Sequence, residues 1–399
     1  MKVLFLTLSR INSIEEQSIY QDLLRKFRDE GHDVNIITPI ERRFNKNTHL
    51  INEGNVTILN VKTPNIQKTN VVEKGFGTLI LEFLFKKAIK KFFKNEKFDL
   101  IMYSTPPITF TRLVRILKNA NNAKTYLLLK DIFPQNAVDL KMMSSSGILY
   151  KYFRKKEIEL YEMSDWIGCM SEENKKYILK HNPGLNEAKV EVNPNSIYLQ
   201  EDKNALFDSN KILDIIPQNK TIFLYGGNLG KPQGINFLLD IIIASNNNSN
   251  AFFIIVGSGT EAVKTIKWFD EKKPKNALFI NQLNQKEYEI LLRHCHVGLV
   301  FLHPDFTIPN YPSRILPYMK CKLPILFATD TNTDVGKEAE LYEYGFWCES
   351  GNIDEFKKLI ESFTFNKELR IKMGINGYNR LKKDFNVNYS YEMIMNHFH

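Results

Sequence analysis

The sequence predicts an α/β protein built from two doubly wound domains of similar size, and three observations carry that expectation. Short apolar runs alternate with amphipathic stretches of helical spacing over residues 1–197, a polar stretch at 198–220 breaks the rhythm, and the rhythm restarts at Thr221. Alternating strands and helices give a parallel sheet with both faces covered. The domains are therefore expected at 1–197 and 198–384, with a hinge in the 198–220 stretch and a cleft between them. Ligands of such sheets lie beyond the carboxyl ends of the strands.

The strands of the first half are read in order from KVLFLTL, DVNIIT, VTILNV, FDLIMYS, KTYLLLKDIF and DWIGCMS. Between them, IYQDLLRKFRDEGH, residues 76–98 and FTRLVRILKNA place apolar residues three and four apart, as helices do. The second half repeats the scheme with strands TIFLYGG, AFFIIVG, ALFI, VGLVFL and LPILFA. Its helices run through GINFLLDIIIAS, AVKTIKWFDE, QKEYEILLRHC and PSRILPYMK.

Composition narrows the function class. The 399 residues are 43% hydrophobic and 25% charged, enough for two ordinary cores, which excludes a disordered, collagenous or small disulfide-stapled chain. Cys169, Cys295, Cys321 and Cys348 are widely spaced with no CxxC pair, so neither a zinc site nor a disulfide framework is expected, and a reducing compartment fits. The first apolar run is short for a signal peptide, and no other run approaches the roughly 20 residues of a membrane span. A soluble cytoplasmic protein is expected.

The formal charge of +9 is uneven: residues 1–200 hold 31 Lys and Arg against 22 acids, and residues 201–399 hold 23 of each. The densest part is 76–98, where Lys86, Lys87, Lys90, Lys91, Lys94 and Lys97 alternate with Leu84, Phe85, Ile89, Phe92 and Phe93. This is a basic amphipathic helix. Its apolar stripe suits a core-facing surface helix, and its lysines equally suit an anionic membrane surface, each contributing about 1 kcal/mol there. No nucleic-acid module accompanies it.

Three segments carry candidate chemistry. Gly226-Gly227-Asn228-Leu229-Gly230-Lys231-Pro232-Gln233-Gly234 follows TIFLY as a glycine-rich turn expected to open a helix; its amides would face an anion such as a diphosphate, with Lys231 as countercharge. Gly257-Ser258-Gly259 is a second turn of the same kind. In NYPSRILPYMK, Tyr311-Pro312-Ser313 reads as a loop entering a helix that Ser313 caps or nearly caps. Arg314 in its first turn is misplaced for the helix dipole and well placed for a phosphate. In the first domain Lys130-Asp131 ends the strand TYLLL, so Asp131 is a candidate general base or hydroxyl-binding group, or a helix N-cap. Ser104 and Thr105 end a neighbouring strand. His32 lies at the opposite strand ends, and Asn195 in VNPNS ends the last strand of the first domain, where it reads as an interdomain turn. Without GxxxxGK[ST], or GxGxxG with a ribose-binding acid, a kinase, an ATPase and a nicotinamide dehydrogenase lose ground.

With LYGGNLGKPQGINFLL, FFIIVGSG, NYPSRILPYMKCKLPIL, KDIFPQNAVDL and VNPNS in that order, the chain resembles the family 4 retaining GT-B glycosyltransferases. It is most similar to their fucosamine-transferase-like members of bacterial capsule and O-antigen assembly. The resemblance implies a GT-B fold of two Rossmann-like domains and a UDP-sugar donor on the second domain, with Gly227, Asn228, Leu229, Gly230, Gln233, Gly257, Ser258, Gly259, Tyr311, Pro312 and Ser313 around it. It implies an acceptor on the first domain, near Ser104, Thr105 and Lys130, commonly a polyprenyl-diphosphate-linked glycan at the inner membrane. Transfer would retain the anomeric configuration, with no cofactor and no essential metal, and a C-terminal helix at about 385–399 would cross back onto the first domain. The family's diphosphate-binding Arg and Lys are replaced here by Asn228 and Gln233, and its E-x7-E glutamates by Pro309 and Pro317. Lys231, Arg314 and Asp131 are left as the catalytic candidates. A non-hydrolysing UDP-sugar 2-epimerase and a donor-binding, non-catalytic partner protein are the alternative readings.

Overall fold

The structure is a computed structural model that describes residues 1–66, 71–199 and 214–398. It divides into two compact units, Met1–Tyr198 with Asn386–His399, and Leu199–Phe385. Residues 200–213, most of the expected hinge, lie outside the described residues.

The first unit holds an eight-stranded sheet: β1 (Lys2–Leu6), β2 (Asp33–Glu41), β3 (His49–Glu53), β4 (Val56–Thr63), β5 (Leu100–Ser104), β6 (Lys124–Leu129), β7 (Trp166–Cys169) and β8 (Val190–Val192). Its order is β3-β4-β2-β1-β5-β6-β7-β8, parallel except for the β3–β4 pair. β1 pairs with β2 on one side and β5 on the other, so the winding reverses between β1 and β5 and opens a crevice at their carboxyl ends. The central strands are apolar along their length because helices cover both faces, and all five residues of β5 are buried.

The second unit is a six-stranded parallel sheet of β9 (Thr221–Gly226), β10 (Ala251–Val256), β11 (Ala277–Ile280), β12 (Val297–Phe301), β13 (Ile325–Thr329) and β14 (Gly345–Glu349), in the order β11-β10-β9-β12-β13-β14. Here the winding reverses between β9 and β12. Phe223, Tyr225, Phe253, Phe301 and the helix Ile235–Ala244 form its core.

Two strands escape the sequence reading for physical reasons. β3 is an edge strand with alternate residues exposed, joined to β4 through a turn at Gly54, whose φ of 65° suits glycine. β14 opens on Gly345, where a side chain would strike the Ile325 carbonyl at 2.2 Å, so its pattern lacks the β-branched run of its neighbours. The basic segment is a helix over Val71–Phe92. Leu81, Phe85, Ala88, Ile89 and Phe93 are buried, and Lys87, Lys90, Lys91 and Lys94 face solvent.

The last helix, Val387–Met395, completes the first unit. Val387 and Ile394 join the core of Val3, Phe5 and Phe27. A buried polar chain fixes it: Ser390 donates to Asn193 Oδ1 at 2.6 Å, Asn193 Nδ2 to the Tyr126 hydroxyl at 2.8 Å, and that hydroxyl to Glu191 Oε1 at 2.6 Å. Glu191 Oε2 meets His397 Nε2 at 3.0 Å, and the His397 ring stacks on Trp166 at 4.2 Å. Replacing Asn193 by Ala removes the acceptor of the buried Ser390 hydroxyl and leaves the Tyr126 hydroxyl with Glu191 alone, so it is expected to destabilise the first unit by about 1–3 kcal/mol. Urea unfolding followed by proteolysis of each unit checks this, with the second unit's midpoint unmoved.

Candidate functional site

In the second unit the site begins where β9 ends, at the reversal point. Gly226 has no room for a side chain, because the Tyr288 hydroxyl would lie 1.9 Å from its Cβ, and Gly227 takes φ +129°, a conformation that penalises any other residue. The second glycine turn packs onto the first. A Cβ on Gly257 would sit 1.9 Å from the Gly227 carbonyl. Gly227 N–H donates to the Val256 carbonyl and Leu229 N–H to the Ser258 carbonyl, each at 2.9 Å. Gln233 closes the loop, its Oε1 accepting from Gly230 N–H and Asn228 Nδ2, both at 3.1 Å.

This corrects the expected donors. The amides of Gly227, Leu229 and Gly230 are already bonded within the protein, so the turn shapes the site and its charge comes from elsewhere. The turn does open a helix, Ile235–Ala244, with Gly234 at its N-cap. Its last residues form a 3-10 turn, Lys231–Gln233, followed by Gly234 at φ +55°, and Lys231 is exposed there.

The charge comes from Arg314. Its guanidinium lies 4.5 Å from the centre of the Tyr225 ring, and its Cζ is 3.7 Å from where a Gly227 side chain would begin. Arg314 Nη1 is buried with no hydrogen-bond partner, and no ion pair among the described residues neutralises the group. A shielded guanidinium without a counter-ion is costly until an anion meets it. Tyrosines the sequence reading did not single out build the wall. Tyr318 hydroxyl accepts from Gly226 N–H at 3.0 Å; burial pushes its phenol up to about 12, against the pull of the Arg314 cation. Burial likewise raises Tyr288. Only Tyr225, beside the glycines in TIFLYGG, carried a sequence signal.

Two further expectations change. Arg314 itself occupies the N-cap of the helix Ile315–Lys320, so Ser313 stands one residue before it, its carbonyl accepting Leu316 N–H at 3.1 Å and its exposed side chain making no cap. Tyr311 turns away, its hydroxyl donating to Glu338 Oε2 at 2.8 Å, and Pro312 lies in the connecting loop.

In the first unit, residues at the carboxyl ends of β1, β5 and β6 converge. Ser104 Oγ donates to Thr7 Oγ1 at 3.3 Å, and Tyr20, shielded beside Ser104 and Asp131, has its phenol raised by burial. Asp131 is not a helix N-cap: the helix Gln135–Asp139 is entered at Pro134. Instead Asn136 Nδ2 bridges both Asp131 carboxylate oxygens, at 2.8 and 2.9 Å. Burial pushes the Asp131 carboxyl up to about 6, with Asn136 opposing. Thr105 pins the two strand ends rather than lining a pocket, accepting the N–H groups of Lys130 and Asp131 at 3.0 and 3.2 Å. Lys130 points elsewhere, Nζ donating to the Asn193 carbonyl at 3.3 Å, and burial brings its amine down to about 7. No cluster of three His, Cys, Asp or Glu side chains suited to a metal occurs among the described residues.

Comparison with known proteins bears on the fold and on the second unit. Residues 210–380 match the family described as glycosyl transferases group 1. The probable glycosyltransferase WbjE of Pseudomonas aeruginosa is 23% identical over 303 residues, 75% of this chain and 74% of that protein. Among solved structures, sucrose-phosphate synthase from Thermosynechococcus elongatus superposes with a TM-score of 0.74 at 16% identity, covering 100% of this chain and 98% of that one. Anabaena HepE in complex with UDP gives 0.66 at 14% identity, covering 100% and 99%. The E. coli trehalose-6-phosphate structure bound with UDP-2-fluoro glucose gives 0.76 at 12% identity, covering 99% and 98%. The fold is GT-B, two Rossmann-like units, and the match to the group 1 glycosyl transferases falls in the second.

Because the two glycine turns touch through backbone, Gly257→Ala is expected to push them apart and cost about 1–3 kcal/mol. Thermal unfolding checks this; an unchanged melting temperature would show that the turns are not closely packed.

Proposed function

We propose that the protein is a retaining glycosyltransferase of surface-polysaccharide synthesis, of the capsule and O-antigen kind. It moves a sugar, an N-acetylated deoxyamino sugar in this reading, from a UDP-sugar to a polyprenyl-diphosphate-linked acceptor. The observation that carries the reading is Arg314 Nη1, buried and unpartnered against the Gly227 backbone. Support comes from the group 1 match over residues 210–380 and from neighbours of the same fold that hold UDP or a UDP-sugar. The capsule and O-antigen role, the family 4 and fucosamine-transferase assignment, the retained configuration and the lipid-linked acceptor rest on the sequence resemblance.

In this mechanism the bond between the sugar's anomeric carbon and the β-phosphate oxygen breaks as the acceptor hydroxyl oxygen bonds to the same face of that carbon. The hydroxyl proton passes to the leaving diphosphate. Negative charge therefore grows on the phosphate oxygens, and a fixed cation in a shielded site stabilises it without reorganising. Arg314 supplies that cation and Lys231 the outer countercharge, so no metal and no cofactor is invoked. Gly227, Asn228 and the Gly257-Ser258-Gly259 turn shape the donor site, with Gln233 holding the loop. Asp131, braced by Asn136, binds the acceptor hydroxyl as the carboxylate. The protein works in the cytoplasm, peripherally on the inner face of the bacterial cytoplasmic membrane; no helix among the described residues is long and apolar enough to cross it.

Arg314→Ala is expected to lower turnover by about 10²–10³-fold with the melting temperature retained; full activity would remove Arg314 from the site. Asp131 is ionised above its folded value of about 6, so kcat/KM for the acceptor should rise with pH through that region. Asp131→Asn should flatten the limb, and a limb that survives would assign it to another group.

A further inference from the structure

Two helices of the first unit leave large apolar side chains uncovered. On the helix Val71–Phe92, Leu79 and Phe83 are 54% and 65% exposed, one turn apart, and Lys87 continues the same stripe at the next turn. On the helix Ile148–Met163, Ile148 and Leu149 are 86% and 64% exposed, with Tyr152 one turn on and Lys151 and Lys155 beside it. Their inward faces are conventionally filled, by Leu81, Phe85 and Ile89 on one and Leu160 and Tyr161 on the other. The uncovered residues are therefore surplus to the core.

The two helices are neighbours. Both pack on the short turn Ile108–Phe110. Glu82, beside Phe83, lies close to Lys156, which follows Tyr152 by one turn: burial raises the Glu82 carboxyl and Lys156 pulls it back. Glu82 itself is turned inward, accepting Leu113 N–H at 2.6 Å, so its charge is withdrawn from the surface. Arg112, on the helix between, is exposed as well. On the Ile148–Met163 helix the exposed acid, Glu162, lies about four turns from Ile148.

We propose that Leu79, Phe83, Ile148, Leu149 and Tyr152 dock the first unit on an anionic lipid bilayer, their side chains entering the headgroup region while the flanking lysines pair with lipid phosphates. Apolar residues ringed by cations, without acids, are the composition of a helix lying in a membrane interface. A second copy of the chain is the poorer fit, because a two-fold contact through this face would set lysine against lysine. The lysines alone, as read from the sequence, give long-range attraction; the uncovered apolar residues give the insertion that survives salt. The inference rests on the membrane-held acceptor of the proposed function and locates the surface that meets it.

The test is flotation of the full chain with phosphatidylglycerol–phosphatidylethanolamine vesicles and with phosphatidylcholine vesicles, alongside calorimetry with UDP and light scattering. The wild type should float with the anionic vesicles and far less with the neutral ones. Ile148→Glu with Leu149→Glu, and separately Phe83→Glu, should each lower partitioning by about tenfold or more at unchanged UDP affinity. Wild-type flotation of both variants would overturn the proposal, as would a wild type that stays at the bottom of the gradient. A dimer that the substitutions dissolve would also overturn it, in favour of a self-contact. Flotation that persists in a protein binding no UDP would support docking and count against the transferase reading alone.

Discussion

A cation that the fold shields but does not neutralise is the constraint on which the site depends. Arg314 lies over an aromatic ring and against a glycine backbone, where water cannot solvate it fully and no carboxylate answers it. Folding tolerates such a group only because the surrounding structure is strong, and it returns the cost when an anion fills the place. The wall that makes this possible is itself specified residue by residue. Gly226 admits the Tyr288 hydroxyl, Gly298 admits the Tyr318 ring, and Gly257 admits the Gly227 carbonyl. Each glycine is there for a neighbour's sake.

Both units obey one topological rule with different chemistry. In the second, the reversal between β9 and β12 brings the glycine turns together, with Arg314 against them. In the first, the reversal between β1 and β5 brings together hydroxyls from Thr7, Ser104 and Tyr20 with the Asp131 carboxyl from the next strand. A guanidinium suits phosphate, and a group of hydroxyls with one carboxyl suits a sugar hydroxyl. The division of labour proposed between donor and acceptor follows from those two inventories.

The fold class was legible because parallel strands covered on both faces are written as continuous apolar runs, and KVLFL, LIMYS and AFFIIV are such runs. β3 was not, since an edge strand with one wet face carries a weaker pattern. At the site, the glycines and Arg314 were visible as local punctuation and as a charge out of keeping with its helix. What the sequence could not show was occupancy: the Gly230 amide, apparently free, is held by Gln233 three residues on, and Tyr311 is drawn off by Glu338, 27 residues away. Tyr20, Tyr288 and Tyr318 act through long-range packing that no local spacing records. The lysine helix was legible as amphipathic, while its uncovered Leu79 and Phe83 emerged only once burial was known.

The central claim is that a nucleotide diphosphate completes the Arg314 site. A crystal structure of the protein with UDP tests it most directly. The account predicts phosphate oxygens within hydrogen-bonding distance of Arg314 Nη1, beside the Gly227 backbone. A nucleotide seated elsewhere, or Arg314 Nη1 still unpartnered at saturating UDP, would contradict it.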